Sequence, residues 1–412
     1  MGRRSKVTVG ALGAAATTGH VLYPAWLAWA SRRRQAAAPT DPEQWPAVTM
    51  LVAAYGEAEC IEAKVRDVLN NGYPGPLDVM VVADADVETA ERAEHAGATV
   101  VTADERLGKA QALNLGFSKV TAPVVVVSDA NNVIAPGAIA ALVRHLGDPR
   151  VGAVAGEKVE ADGAGEDLYW RFESWLKQRE WRLGTTIGLV GELAAIRTDA
   201  WQPVPADIAT DDLWTALDLS ERGYVIAYEP QARAFDPPVP TLEQQWERRT
   251  RSVSGAMHVF MRRRRQLSPG GGIVAAQIWG HRLARYTIAP VAHLLLLVTA
   301  LRRVRTSKLA VLFLGGHLVA LWGLARKATG PSEHAGQPID GVDPVDLEAA
   351  GGRPASGRAA GAKAAQRVAD GLSQAVFLNA VALGGVLRYM RGDRLTQWPV
   401  VRHPKASSTR RR

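Results

Sequence analysis

Apolar residues are distributed unevenly along this chain of 412 residues. Between residues 45 and 260 they form short runs that alternate with segments of helical spacing, whereas both ends carry long apolar stretches bordered by arginine. The pattern predicts a central α/β domain between membrane-associated segments. The divisions we expect are a membrane anchor at 1–34, the α/β domain at 45–260, an interfacial segment with two membrane helices at 261–327, a flexible Gly/Ala-rich loop at 328–370, and a membrane segment with a basic tail at 371–412.

The central domain contains four short apolar runs that are predicted to be strands, at residues 48–54, 78–83, 99–102 and 123–128. Segments with helical spacing of apolar residues, such as 57–70 and 109–119, lie between them. Strands that alternate with helices predict a mostly parallel sheet with helices on both faces. Ligands of such sheets bind at the carboxyl ends of the strands, so polar residues directly after each strand are the candidates for chemistry.

Four apolar stretches, at 7–30, 286–301, 307–326 and 372–390, are candidates for membrane segments. His20 and Pro24 interrupt the first stretch, for which a signal peptide is the alternative. The arginines that follow it and the lack of a small-x-small cleavage site disfavour that alternative. Basic residues stand on both sides of the stretch, so the positive-inside rule gives no orientation.

The formal net charge is +8, and the excess of basic residues lies beside the apolar stretches. This placement indicates contact with an anionic lipid surface. Nucleic acid is the competing partner for a basic chain, but we expect none because no nucleic-acid motif and no interleaved aromatic and basic residues accompany the charge. The single cysteine, Cys60, cannot form a disulfide within the chain and is predicted to be a small buried side chain.

Acidic and amide side chains follow two of the predicted strands. Asp129 and Asn131 follow the fourth strand, where their oxygens can hold Mg²⁺ or Mn²⁺ against a diphosphate or can simply begin a turn. Asp84 and Asp86 follow the second strand and can bind a base or ribose, or can accept hydrogen bonds from amides at a helix start. Asp212 belongs to an acidic pair at a later helix start, where one carboxylate can cap the helix while the other takes a proton from a hydroxyl.

Basic and aromatic side chains complete the candidate site. Lys109 begins a predicted helix and either contacts a phosphate of a donor or is exposed to solvent. Three clustered arginines can bind phosphate oxygens or, alternatively, lipid headgroups. These arginines are Arg248, Arg249 and Arg251. The aromatic residues that can either stack on a sugar or pack within the protein are Trp170, Trp175 and Trp181.

The order of these motifs resembles that of the family-2 glycosyltransferases, in particular of bacterial membrane-bound members related to polysaccharide synthases. The similarity extends over about residues 20–400. The matching segments are 52–57 (VAAYGE) for the AYNE turn, 81–84 (VVAD) for the nucleotide-binding aspartate, 108–114 (GKAQALN) for the GKAxALN helix, 128–131 (SDAN) for the metal-binding DxD, 210–212 (TDD) for TED, and 224–230 for the strand after it.

The resemblance implies a GT-A fold, which is a Rossmann-like, mostly parallel sheet flanked by helices, here with N- and C-terminal transmembrane helices. It implies an inverting transfer from a nucleotide sugar, with a UDP-sugar expected, in which Asp212 is the general base and Mg²⁺ or Mn²⁺ is the cofactor. The metal ligands would be Asp129 and Asn131. The residues expected to contact the donor are Ala54, Tyr55, Glu57, Asp84, Lys109, Asp129, Arg248 and Arg251.

This chain departs from the family pattern in three places. Asn131 replaces the second aspartate of the metal motif, and Asp211 replaces the glutamate of TED. The QxxRW motif, which the family's processive synthases use for acceptor binding, is not intact. Aligned on Gly255, its arginine corresponds to Arg251, whereas in the register 245–249 it corresponds to Arg248.

We therefore expect transfer of one or a few sugars to a lipid-linked or cell-surface polysaccharide acceptor. The alternatives are a processive polysaccharide synthase, a non-catalytic membrane scaffold with a transferase-like fold, and a nucleotidyltransferase, which would need a Gly-rich loop after the first strand. Nucleotide sugars are made in the cytosol, so the resemblance implies a multi-pass protein of the cell membrane with a cytoplasmic catalytic domain. Its partners would be membrane lipid and other polysaccharide-assembly proteins. The basic link at 302–308 would then lie outside, against the positive-inside rule.

Overall fold

The structure, a computed structural model, describes residues 3–36, 38–160, 167–237, 239, 241–329 and 357–393. At the N-terminus, helix α1 (Arg3–Thr17) continues through a π-helical turn (Thr18–Leu22) into α2 (Tyr23–Ser31). Pro24, which has no amide hydrogen, lies in the first turn of α2 directly after the π-helical turn.

The central domain alternates strands with helices, as its apolar pattern predicts. Its strands are β1 (Val48–Ala54), β2 (Leu77–Asp84), β3 (Thr99–Ala103), β4 (Val124–Ser128), β5 (Val133–Ile134), β6 (Val151–Glu160), β7 (Leu193–Arg197) and β8 (Val225–Asp236). Its helices are α3 (Ile61–Leu69), α4 (Val87–His95), α5 (Lys109–Phe117), α6 (Ala138–His145), α7 (Asp167–Arg182), α8 (Asp211–Glu221) and α9 (Leu242–Arg262).

The strands form one mixed sheet in the order β3-β2-β1-β4-β7-β6-β8-β5. The four strands predicted from the sequence are parallel to one another, so their carboxyl ends lie along one edge. β7 runs antiparallel to both β4 and β6, and this direction brings its first residue to the same edge. The predicted α/β class, with a Rossmann-like and mostly parallel sheet flanked by helices, is confirmed.

The sheet has a hydrophobic core on each face, because side chains alternate between the faces along every strand. On β1, Met50 and Val52 pack into one core together with Ile61 of α3. Leu51 points to the other face and packs with Leu113 of α5. Apolar residues on both faces explain why β1 is a continuous apolar run and not an alternating one.

Helices that follow α9 lie against the central domain. They are α10 (Gly272–Gln277), a π-helical segment (Ile278–Leu283), α11 (Ala284–Tyr286), α12 (Ile288–Arg303), α13 (Lys308–Thr329) and α14 (Gly357–Met390). Three helical stretches have the length and apolar composition of membrane spans: Pro269–Arg303, Lys308–Ala328 and Val368–Met390. Large apolar side chains on them are exposed, such as Leu309 at 77% and Leu312 at 73%, as expected for contact with lipid. These are the helices of a membrane protein.

Two of the expected divisions change. The expected loop at 328–370 is wrong for its last part, because residues from 357 onward belong to α14, whose alanines favour a helix over a loop. Residues 330–356 of that loop, and the basic tail beyond 393, lie outside the described residues. The helix that includes α1 and α2 is not one of the three candidate spans, so the N-terminal anchor stays a prediction.

Candidate active site

A cavity of about 220 Å³ lies at the carboxyl edge of the sheet, between the central domain and the helices that follow it. The domain contributes Lys109, Asp129 and Asp212 to its lining. Arg248 and Arg251 of α9 line it as well, so five of the predicted site residues share one cavity. Other lining residues are His20 of the π-helical turn before α2 and residues of α7, of the helix of the first candidate span and of α14.

Lys109 and Asp129 form an ion pair inside the cavity, with Nζ 2.5 Å from Oδ1. Burial alone would lower the pKa of Lys109, but the carboxylates of Asp129 and Asp211 raise it above its ordinary value. Burial raises the pKa of Asp129, while the ammonium group of Lys109 opposes that change. A fixed lysine cation beside a carboxylate is suited to a phosphate group and a divalent metal held together.

The cavity supplies only part of a metal coordination shell. Asp129 faces it, whereas Asn131, the second predicted ligand, does not line it. Within the described ranges, no group of three or more His, Cys, Asp or Glu residues is arranged to hold a metal ion. This donor set fits Mg²⁺ or Mn²⁺ bound through one carboxylate together with the phosphates of a substrate, which is a usual mode for Mg²⁺.

Asp212 lies at the start of α8 and faces the same cavity. Burial and the neighbouring charge of Asp211 raise its pKa to about 7. The backbone amide of Leu213 and the positive charge of Arg282 act in the opposite direction. Thr210, the residue before the helix, makes no side-chain capping hydrogen bond. A carboxylate with a pKa near neutrality is suited to proton transfer.

Arg248 belongs to a buried network of charges that closes one side of the cavity. Lys158 Nζ contacts Glu192 Oε1 at 2.6 Å and Asp236 Oδ2 at 2.5 Å. Arg248 Nη2 lies 3.3 Å from the same Glu192 oxygen and 3.4 Å from Asp236 Oδ2. Burial acts to raise the pKa of Glu192, but the charges of Lys158 and Arg248 lower it to about 2. Arg248 is therefore held in place by two carboxylates.

Sequence reasoning missed Glu192 and Lys158. Glu192 directly precedes β7, whose antiparallel direction places it at the edge where the parallel strands end. The apolar pattern does not predict that β7 is antiparallel, and an acidic residue before a strand does not by itself indicate a functional site. Lys158 lies within β6 and is fully buried, so its role in the site is evident only from its ion pairs with Glu192 and Asp236.

The remaining arginines and the tryptophans have different environments. Burial and the charge of Arg248 lower the pKa of Arg251 to about 10. The guanidinium of Arg249 lies over the Tyr169 ring, 4.3 Å from its centroid, and both line the cavity. Trp170 also lines the cavity, whereas Trp175 stacks on Phe172 and Trp181 contacts His145.

Four predicted donor-contacting residues lie at the same sheet edge but do not line the cavity: Ala54, Tyr55, Glu57 and Asp84. Asp84 accepts hydrogen bonds from the amides of Leu107 (2.6 Å) and Gly108 (2.8 Å). Gly108 has a φ of 82°, a conformation that favours glycine, so Asp84 fixes the turn that delivers Lys109.

The turn after β1 and the segment before α5 also meet through aromatic and capping contacts. The Arg106 guanidinium lies 3.8 Å from the centre of the Tyr55 ring. Asp86 caps α4 and accepts a hydrogen bond from the amide of Gly56 at 2.7 Å. These contacts support the interpretation that Asp86 accepts hydrogen bonds from backbone amides at a helix start. Cys60 is half-buried, and its Sγ lies 3.0 Å from Glu57 Oε2.

Comparison with known proteins places these features in a family. Residues 46–255 match the family model described as "Glycosyltransferase like family 2". The chain is similar to a poly-beta-1,6-N-acetyl-D-glucosamine synthase of Staphylococcus aureus (strain COL), with 27% identity over 229 residues, 52% of this chain and 56% of that protein. A synthase of the same description from Staphylococcus epidermidis is 24% identical over 238 residues, 54% of this chain and 58% of that one. The chain thus spans little more than half the length of these curated relatives.

A solved structure shares the fold. The mannosyltransferase from Pyrobaculum calidifontis, in complex with GDP-Man and Mn²⁺, superimposes with a TM-score of 0.67 at 24% identity, covering 93% of this chain and 98% of that one. The shared fold confirms the GT-A architecture expected from the sequence. The family model covers just over half of the chain, and the chain therefore belongs to the glycosyltransferase-like family 2.

Proposed function

We propose that this protein is a membrane-bound inverting glycosyltransferase. It moves a sugar from a nucleotide sugar, with a UDP-sugar expected, to a hydroxyl of a lipid-linked or cell-surface polysaccharide acceptor. The observation that carries the proposal is one cavity that holds both the Lys109–Asp129 ion pair and Asp212, whose pKa is about 7. The polymer named in the curated relatives supports a saccharide acceptor.

The reaction follows from the roles of these groups. Asp212 accepts the proton of the acceptor hydroxyl, whose oxygen attacks the anomeric carbon from the side opposite the diphosphate. A new C–O bond forms as the bond to the diphosphate oxygen breaks, so the configuration inverts and the nucleoside diphosphate leaves with the electron pair. Lys109, Arg248 and Arg251 stabilise the charge that develops on this leaving group.

A divalent cation, Mg²⁺ or Mn²⁺, would neutralise part of the diphosphate charge when bound. Asp129 is its proposed ligand, together with phosphate oxygens of the donor. Asn131 stays a proposed second ligand, although its side chain does not line the cavity. Ala54, Tyr55, Glu57 and Asp84 are proposed to contact the nucleoside, because they lie where β1 and β2 end at the same edge.

The protein is proposed to lie in the cell membrane as a multi-pass protein with the cavity on the cytoplasmic side, where nucleotide sugars are made. Residues of the first and third candidate spans line the cavity, among them Arg282, Arg285 and Asn379. A site that shares its walls with membrane helices favours an acceptor delivered from the bilayer. Other polysaccharide-assembly proteins stay proposed partners, as the family resemblance implies.

Nucleotide release from UDP-, GDP- and TDP-sugars tests this function directly. Membranes that contain the wild type, Asp212→Asn or the control Asp199→Asn are incubated with lipid extracts, with and without Mn²⁺. Asp199 is a suitable control because its side chain is 74% exposed and lies outside the cavity. We expect release from one donor class that needs Mn²⁺, persists in the control and falls at least a hundredfold in Asp212→Asn. Nucleotide release by Asp212→Asn at the wild-type rate would remove Asp212 from the mechanism. No release from any donor would favour the alternative of a non-catalytic membrane scaffold.

A further inference from the structure

The membrane end of the cavity contains a cluster of charged and aromatic side chains that the transfer reaction does not use. Arg282 and Arg285 come from the helix of the first candidate span, and Arg249 with Tyr169 comes from the central domain. All four line the cavity, and we call them the arginine chamber. Glu173 also lines the cavity and pairs with Arg285, and the charge of Arg282 acts on Asp212.

Arg282 and Arg285 of the chamber contact other groups of the protein. Arg285 Nη1 lies 2.7 Å from Glu173 Oε1, and its Nε donates a hydrogen bond to the carbonyl of His281. Arg282 Nη1 lies 3.3 Å from the hydroxyl of Tyr286. A Cβ placed on Gly19 would lie 2.2 Å from Arg285 Cγ, so the N-terminal helix also packs directly against this side chain.

The chamber nevertheless has donors that the protein does not use. Arg285 is only 6% exposed, yet within the described residues its buried Nη2 atom has no hydrogen-bond partner. The same holds for Nε of Arg282. A buried cationic donor without an acceptor is costly, and a ligand that offers only acceptor oxygens would remove that cost. A phosphate group has this property and matches the geometry of guanidinium groups.

Lys109, the acidic pair of α8 and Arg282 all line the same cavity. A donor diphosphate beside Lys109 and an anionic group in the chamber would therefore both lie in the cavity that contains Asp212. An acceptor with its phosphate in the chamber would present its hydroxyl to that carboxylate.

We propose that the arginine chamber binds the phosphate or diphosphate group that joins the acceptor sugar to its lipid. The inference rests on the proposed transferase function and deepens it by assigning an anionic, lipid-linked acceptor. The same phosphate chemistry has a second source, the diphosphate of the donor, so the experiment must separate the two.

Equilibrium binding to the purified full chain in neutral detergent provides the test. The probes are dodecyl phosphate, inorganic phosphate, and UDP or GDP with Mn²⁺. The variants are Arg282→Gln, Arg285→Gln and Arg285→Lys, with Arg302→Gln as the matched control. Arg302 is an exposed arginine at the far end of the same span and lies outside the cavity. Melting temperatures identify any variant that fails to fold, and Arg282→Gln preserves the Arg285–Glu173 ion pair if Arg285→Gln does not fold.

We expect dodecyl phosphate to bind about ten- to one-hundred-fold more weakly to Arg282→Gln and Arg285→Gln, the range for losing a hydrogen bond to a charged group. Arg285→Lys should recover part of the affinity, and Arg302→Gln should equal the wild type. Nucleotide binding with Mn²⁺ should change less than twofold, and inorganic phosphate should compete with dodecyl phosphate.

Two results would overturn the inference. Unchanged dodecyl phosphate binding in folded variants would show that the chamber does not hold the phosphate. A parallel loss of nucleotide binding would assign the arginines to the donor diphosphate instead. Because binding requires no turnover, a wild type that binds dodecyl phosphate through these arginines but transfers no sugar would leave the anion site intact and reject only the transferase function.

Discussion

At the scale of single residues, the protonation of Asp212 should govern the rate. Its pKa of about 7 means that half of the molecules hold an ionised base near neutral pH. We expect kcat/KM to rise with pH through about 7 and to level off above it, because only the carboxylate accepts a proton. Asp211→Asn removes a neighbouring negative charge and should move this rise to lower pH. The pH profiles of the two proteins measure the shift, and identical midpoints would contradict the assigned coupling.

Lys64 is a second residue whose role lies in its contacts. It is 2% exposed, and its Nζ donates hydrogen bonds to Ser128 Oγ at 2.8 Å and to Asn132 Oδ1 at 2.6 Å. These partners flank Asp129, so the lysine from α3 holds the turn that presents the proposed metal ligand. Burial lowers the pKa of Lys64 to about 8.

Replacing Lys64 with methionine should loosen this turn. The change removes donors from buried acceptors, at a cost of about 1–3 kcal/mol in the free energy of unfolding. We expect a lower melting temperature and a higher Mn²⁺ concentration for half-maximal activity. Lys119→Met, at an exposed lysine, is the control and should alter neither. A destabilised variant with an unchanged Mn²⁺ requirement would restrict Lys64 to a structural role.

Several of the site residues that the sequence predicted follow strands or begin helices, whereas Arg248 and Arg251 lie inside α9. Asp129 and Lys109 follow this rule, since strand ends and helix starts can be located from apolar runs alone. Lys64 and Glu192 could not be found in this way. One lies inside a helix and the other before an antiparallel strand, so their functions depend on which elements become neighbours in the folded chain.

At the scale of elements, β1 to β4 could be predicted to within a residue or two because each is a short run rich in apolar, β-branched residues, although β3 lies at the edge of the sheet and is only partly buried. The helix at the C-terminal end was less clear. Its first part, from Gly357, is rich in alanine and has little apolar periodicity, so the sequence favoured a loop. The apolar half, Val368–Met390, was predicted because burial or lipid contact requires apolar side chains.

The N-terminal helix packs very closely on the helix of the first span. A Cβ placed on Gly280 would lie 2.0 Å from Cδ2 of the Tyr23 ring, and Tyr23 donates a 2.7 Å hydrogen bond to Glu180. Gly280→Ala should therefore displace the N-terminal helix and break this hydrogen bond, lowering the melting temperature. Gly315→Ala is the control, since a Cβ there meets nothing within 4 Å and alanine favours the helix. Equal melting temperatures for the two variants would contradict this close packing.

At the scale of the whole molecule, the candidate membrane helices form part of the wall of the candidate active-site cavity. Val253 of α9 and Ala382 of α14 both line the cavity, so its width depends on how closely these helices pack. Glycine permits that approach. A Cβ placed on Gly385 would lie 2.5 Å from Val253 Cβ and 2.9 Å from the carbonyl oxygen of Thr250. Neither atom is the end of a flexible side chain, so any added methyl group must move one helix.

Gly385→Ala should consequently separate α14 from α9 and widen the membrane side of the cavity. We expect the KM for the lipid-linked acceptor to rise several-fold while nucleotide binding with Mn²⁺ is retained. Lys109 and Asp129 belong to the sheet edge, and Arg248 of α9 is held there by Glu192 and Asp236, so α14 is the helix that should move. Gly371→Ala, on the same helix but with nothing within 4 Å of its Cβ, is the matched control. Equal weakening of nucleotide and acceptor binding would mean that the displacement of α14 also changes the donor side of the cavity. A selective effect on the acceptor would establish that the membrane helices build the acceptor side of the site.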